Sequence, residues 1–276
     1  MSGDKGGRFE EVIAAACKLP YCRIDRDEFL TKQLKNKVNS ERLADALEYG
    51  TVNAGIQVKT LDMLAVGAIK LERTKATVLS AGAGIPGGLA LIGAVPADLA
   101  QFYAHVLRVA QKLAYIYGYK RLDMDDAIEN RLVILLGAML GVNAANAALA
   151  KFAAANASKI GARVAAMPLS KHAVYNIAKK TLAWVGVKLT KDTAGKAVAK
   201  AVPLVGALVS GSLTAAVFSR MVKKLKDDLS RLASMSPEDL EKESAAADVI
   251  LADYEIMANG ESADETVLQT PMRKSF

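Results

Sequence analysis

The chain has 276 residues, 52% of them apolar and only 5% aromatic, with a formal net charge of +7. Two cysteines are too few for a disulfide framework, and the two histidines do not complete a zinc site with them. Few aromatics and no run that alternates polar and apolar residues exclude a β architecture. The expected fold is all-α: a single multi-helix bundle with apolar Gly/Pro-rich helical hairpins.

In chain order, residues 1–8 read as a flexible lead without the apolar stretch of a signal peptide. One helical domain is expected over 9–258, and a disordered tail over 259–276. The first helix covers 8–18 and is ended by Pro20. Amphipathic helices over 26–36 and 40–49 follow, the second stopped by Gly50. Cys17 and Cys22, spaced C-x4-C, read as two reduced thiols. A longer helix is expected from about 52 to 79, with apolar residues at 61, 64, 65, 68, 69 and 71.

Residues 76–97 form an uncharged run of 22 with five glycines and two prolines. Gly and Pro would break a straight spanning helix, so the run reads as the turn of a helical hairpin. Gly82, Gly84, Gly87 and Gly88 let two helix backbones approach closely there. The spelling G-x-G-x-x-G is present, but a helical pattern precedes it where a nucleotide site needs a strand.

A helix from Pro86 continues through Asp98, the only acid or base between Lys75 and Arg108 apart from His105. Asp98 and His105 are seven residues apart and share a helix face, with Arg108 or Arg131 as partner. They form a candidate polar cluster, structural or functional, and without a nucleophile or metal set they are weak grounds for catalysis. Gly118, among Tyr115, Tyr117 and Tyr119, suits a left-handed helix cap. Asp123 and Asp126 open the next helix, which enters a second uncharged run of 19 residues, 132–150. Its two Gly and two Asn suit burial among helices better than lipid.

Residues 151–200 carry ten bases and one acid. Val174, Ala178, Leu182, Val185 and Leu189 fall on one face of a helix there. Lys171, Lys179, Lys180, Lys188 and Lys191, with Trp184 at the flank, would make a membrane-facing basic surface, or equally the solvated side of an ordinary surface helix. A third uncharged run, 201–219, leads into a basic amphipathic stretch. Ser236, Pro237 and Asp239 mark the start of a last helix that runs to about residue 258. Charge is asymmetric: residues 237–276 hold ten acids and three bases, and the remainder 33 bases and 19 acids. The acidic helix over 237–258 either folds back over the basic segment 151–200, competing with anionic lipid for its lysines, or packs elsewhere and keeps the protein soluble.

The segments GAGIPGG, AVPADLAQF and LAYIYGY, followed later by VPLVGALVSGSLTAAVF, resemble the EcsC protein family over roughly residues 40–235. Family members often carry an Asn where this chain has Ser212 to Thr214. The resemblance implies a bacterial helical protein in a membrane setting, named for a gene beside an ABC-transporter pair, with no established reaction. Together these readings give a non-enzymatic accessory or lipid-interacting factor. It would be cytoplasmic and peripheral to, or partly inserted in, the inner membrane. Anionic lipid is the expected partner, with an integral membrane protein or transporter besides. No cofactor, metal or nucleic acid is expected. Two other classes fit less: a soluble protein that opens into a pore, and a hydrolase using Asp98 and His105.

Overall fold

The computed structural model describes residues 5–81, 97–120, 127–157, 169, 173–174, 176–179, 181 and 211–259. Only the backbone is described at residues 5–10, 77–81, 97–99, 127–130, 211–214, 217 and 253–259. Helices α1 (Lys5–Lys18), α2 (Arg26–Leu34), α3 (Ser40–Tyr49), α4 (Val58–Ala81) and α5 (Ala97–Ile116) come first. Then follow α6 (Ala127–Leu140), α7 (Asn143–Asn156), α8 (Gly211–Ala233) and α9 (Pro237–Asn259). The fold is all-α, and no strand occurs among the described residues.

Helix α5 is the axis of the bundle. It touches α1, α2, α4, α6 and α8. From Phe102 to Tyr119 every residue except Arg108 is buried. A helix covered on all sides must be apolar all round, and its polar residues must find partners inside. Against it α4 turns a stripe of Leu61, Leu64, Ala65, Ala68, Glu72 and Ala76, and α8 turns Phe218, Met221, Val222, Leu225, Leu229 and Leu232. Both follow the three-four spacing of a helix face. Phe102 and Phe218 meet edge to face at 6.3 Å.

The local signals act where chemistry places them. Asp25 and Asn39 cap α2 and α3, accepting the amides of Glu28 at 2.8 Å and Arg42 at 2.9 Å. The Ser236 hydroxyl accepts the Asp239 amide at 3.1 Å at the start of α9. Arg26 is buried, and its guanidinium donates to the carbonyls of Leu47 at 2.8 Å and Ala46 at 3.0 Å, satisfying the end of α3.

Helix α5 ends in the pair of bonds that a left-handed cap allows: Tyr119 N–H to Ala114 O at 2.9 Å and Gly118 N–H to Tyr115 O at 3.2 Å, with Gly118 at φ +91. Gly50, at φ +93, lies against this corner, and a Cβ on it would stand 2.5 Å from the Gly118 carbonyl oxygen.

Helix α1 begins at Lys5, inside the stretch read as a flexible lead, α2 ends at Leu34 where 36 was expected, and two larger differences follow. Helix α4 begins at Val58, not near 52, because Ala54, Gly55 and Ile56 bond back to Gly50, Val52 and Thr51 in successive turns. The Thr51 hydroxyl is held by the Ile116 carbonyl at 2.6 Å. The uncharged run 132–150 is not one helix. It breaks at Gly141, where Val142 N–H bonds Gly137 O at 2.9 Å and Gly141 N–H bonds Ala138 O at 3.0 Å. The two halves fold together as α6 and α7, with Leu132–Leu136 and Ala147–Ala150 buried. Helix α9 packs on α7, burying Leu240, Ala247 and Leu251, and Asp248 pairs with Lys151 at 2.7 Å.

Candidate functional site

Glu72 sits on the inner stripe of α4, where the spacing calls for an apolar residue, and its side chain is wholly buried. Helix α5 supplies three bases, at positions i, i+3 and i+7 of one face. His105 donates its Nδ1–H to Glu72 Oε2 at 2.8 Å. A carboxylate can only accept, which fixes the proton on Nδ1. Lys112 donates to Oε1, and Arg108 Nε lies 3.4 Å from both oxygens.

The surrounding chain completes the network. Arg108 also donates to the Tyr21 carbonyl, and Gln111 donates to the Cys22 carbonyl at 2.9 Å while accepting the Ile24 amide at 3.2 Å. The Lys112 ammonium stands 5.6 Å over the Phe29 ring, and the Tyr21 ring lies 5.6 Å from that of His105. One acid thus ties α4 to α5, and α5 in turn ties down residues 21–24.

Burial pushes the Glu72 carboxyl up. The hydrogen bonds from His105 and Lys112, with the charges of Lys112 and Arg108, outweigh it and hold the group at about 2. Burial pulls the Lys112 ammonium down, against its bond to Glu72. The two shifts favour opposite members of the pair. The carboxylate stays ionised, because three basic side chains surround it. Such a carboxylate is a poor base at neutral pH, and the arrangement ties α4 to α5.

A second anchor joins the other end of α4. The Tyr117 hydroxyl donates to Asp62 at 2.5 Å, and Lys226 of α8 approaches the same oxygen at 3.2 Å. Burial raises Asp62, but hydrogen bonds from Tyr117, Ser230 and Lys226 prevail and lower it.

Of the residues that the sequence singled out, His105 and Arg108 do meet. The acid they meet is Glu72, 33 residues before His105. The Asp98 side chain lies outside the described residues. Arg131 is half-buried on α6. Glu72, Lys112 and Gln111 were missed, although a carboxylate four positions after Ala68 on an otherwise apolar stripe was a visible signal. The hairpin glycines Gly82, Gly84, Gly87 and Gly88 lie outside the described residues, as do Lys171, Lys180, Trp184, Lys188 and Lys191. Lys179 is exposed. Beside it Val174, Ile177 and Ala178 are buried in the core. This part of the apolar face is therefore covered by protein. Among the described residues no group of three or more His, Cys, Asp or Glu is placed to hold a metal ion.

The outward side of α4 has a different character. Met63 and Val66 are each 58% exposed and Leu71 is 50% exposed. Around them Lys59, Gly67, Lys70, Arg73, Thr74 and Lys75 are exposed too, and Asp62, whose side chain is 35% exposed, is engaged by Tyr117 and Lys226. No helix among the described residues is long and apolar enough to cross a membrane. No family model, curated protein or solved structure matches the chain.

Proposed function

We propose that this is a peripheral, non-enzymatic helical protein of the EcsC kind that lays one basic helix face on anionic lipid. The observation that carries the reading is the outward face of α4, with Met63, Val66 and Leu71 among Lys59, Lys70, Arg73 and Lys75. Apolar side chains can enter the headgroup boundary while long basic side chains reach the phosphates around them. The uncharged sequence 76–97 begins inside the last turns of this helix and runs on beyond it, so the apolar character continues along the chain. The cytoplasmic face of an inner membrane supplies the anionic surface, and an integral membrane protein there is a further partner.

Sedimentation with phosphatidylglycerol vesicles tests the reading. The protein should bind them and not neutral phosphatidylcholine vesicles, and binding should weaken as salt rises. Each basic residue near such a surface contributes about 1 kcal/mol, so Lys59→Gln with Lys70→Gln should weaken partition roughly 30-fold. Equal binding to neutral vesicles, or no change in the double variant, would sink it. Release of a trapped dye at the same protein concentration would point to the pore-forming class instead.

A further inference from the structure

The two cysteines meet at the turn that follows α1. Cys17 lies in the last turn of that helix, and the chain bends back through Leu19 N–H to Ala16 O at 3.2 Å and Cys22 N–H to Leu19 O at 2.8 Å. This sets the Cys17 thiol within hydrogen-bond reach of the Cys22 sulfur, and the two are not bridged. Cys22 is 1% exposed and Cys17 is half-buried, so solvent reaches the pair from the Cys17 side. The backbone on either side of the Cys22 sulfur is clamped to α5, because Arg108 holds the Tyr21 carbonyl and Gln111 the Cys22 carbonyl.

We propose that Cys17 and Cys22 form an oxidisable dithiol site that a hydroperoxide converts to an intramolecular disulfide. Sulfurs already within hydrogen-bond reach need only close to about 2 Å. The bond from Cys17 holds the Cys22 thiol below its usual range, burial opposes this, and the charges of Arg108 and Arg23 add to it. The Cys22 thiolate attacks one peroxide oxygen. The O–O bond breaks, the other oxygen leaves as alcohol or water with the thiol proton, and Cys22 becomes a sulfenic acid. The Cys17 sulfur then attacks Cys22. The S–S bond forms, the S–O bond breaks, and hydroxide leaves as water with the Cys17 proton. The two sulfurs together lose two electrons, and the peroxide gains them. The site is independent of the lipid reading.

The test uses the full chain, treated with hydrogen peroxide, alkylated and mapped by mass spectrometry. A Cys17–Cys22 disulfide that dithiothreitol reverses is expected. Cys17→Ser should stop at a sulfenic acid on Cys22, trapped by a dimedone probe. Cys22→Ala should slow oxidation of the remaining thiol roughly tenfold. The proposal is overturned if both thiols still alkylate after a peroxide dose that oxidises free cysteine. It also fails if bridges form only between molecules, or only in denaturant. Should Cys22→Ala not fold, the native chain and the half-buried Cys17→Ser decide the matter.

Discussion

Glu72 is one carboxylate on which three basic side chains depend, and its removal is a matter of what remains. Glu72→Ala would leave Lys112 and His105 buried without their acid and should cost about 3–5 kcal/mol. Glu72→Gln keeps the shape and an accepting oxygen, and should cost less. The pH dependence follows from the same contacts. The folded carboxyl titrates at about 2 against an ordinary 4.5. Its folded value is depressed, so its contribution is fully present above roughly pH 5 and is lost as pH falls toward 2. The size is on the order of 3 kcal/mol. Urea unfolding at pH 7 and pH 3 should show the native chain losing about 2 kcal/mol more than Glu72→Gln, because a folded value of about 2 leaves the loss incomplete at pH 3. Parallel losses in the two proteins would mean that Glu72 is not held as described.

At the scale of elements, α4 has two unlike sides. Its inner side carries Glu72, bonded to α5, its flank carries Asp62, bonded to Tyr117 just past the end of α5, and its outer side carries exposed Met63, Val66 and Leu71. The ionic anchors let α4 stay docked while an apolar stripe faces outward, a combination that burial alone would not favour. The corner at Gly50 and Gly118 sets where α4 can begin. Gly50→Ala would place a Cβ 2.5 Å from the Gly118 carbonyl oxygen, at φ +93. Strain and overlap of this kind cost about 1–3 kcal/mol each, so thermal denaturation should show a clear drop in Tm. Gly55 has a positive φ but nothing within 4 Å of its Cβ, so Gly55→Ala should cost only the backbone strain. Equal effects from the two variants would remove the corner as the cause.

For the whole molecule the question is what the acidic helix α9 covers. Leu240, Ala247 and Leu251 are buried where it packs on α7, and Asp248 reaches Lys151. Cutting the chain after Met235 would bare that side of α7. Two leucines lost from the core are worth about 3–6 kcal/mol together, so the truncated chain should unfold at distinctly lower urea. Lys151 is also freed, which adds one base toward anionic vesicles. A truncated protein with unchanged stability would show that α9 is only an acidic appendage.

Helix content, the ends at Gly50 and Gly118 and the start at Ser236 were legible in the sequence, because each rests on the geometry of a few adjacent residues. The asymmetry of charge was legible for the same reason, since it needs no partner to be counted. The break of the run 132–150 at Gly141 was not assigned, because a glycine inside an apolar helix and a glycine that ends one read alike until the following chain turns back. The pairing of His105 and Arg108 with Glu72 came only with the tertiary structure. Two residues on separate helices meet when one crossing is chosen among several, and apolar periodicity permits them all. The same holds for the outward stripe of α4. Leu71 lay on the apolar face expected from the sequence and Met63 and Val66 lay off it, and only the packing of α5 and α8 on the other side leaves all three facing out.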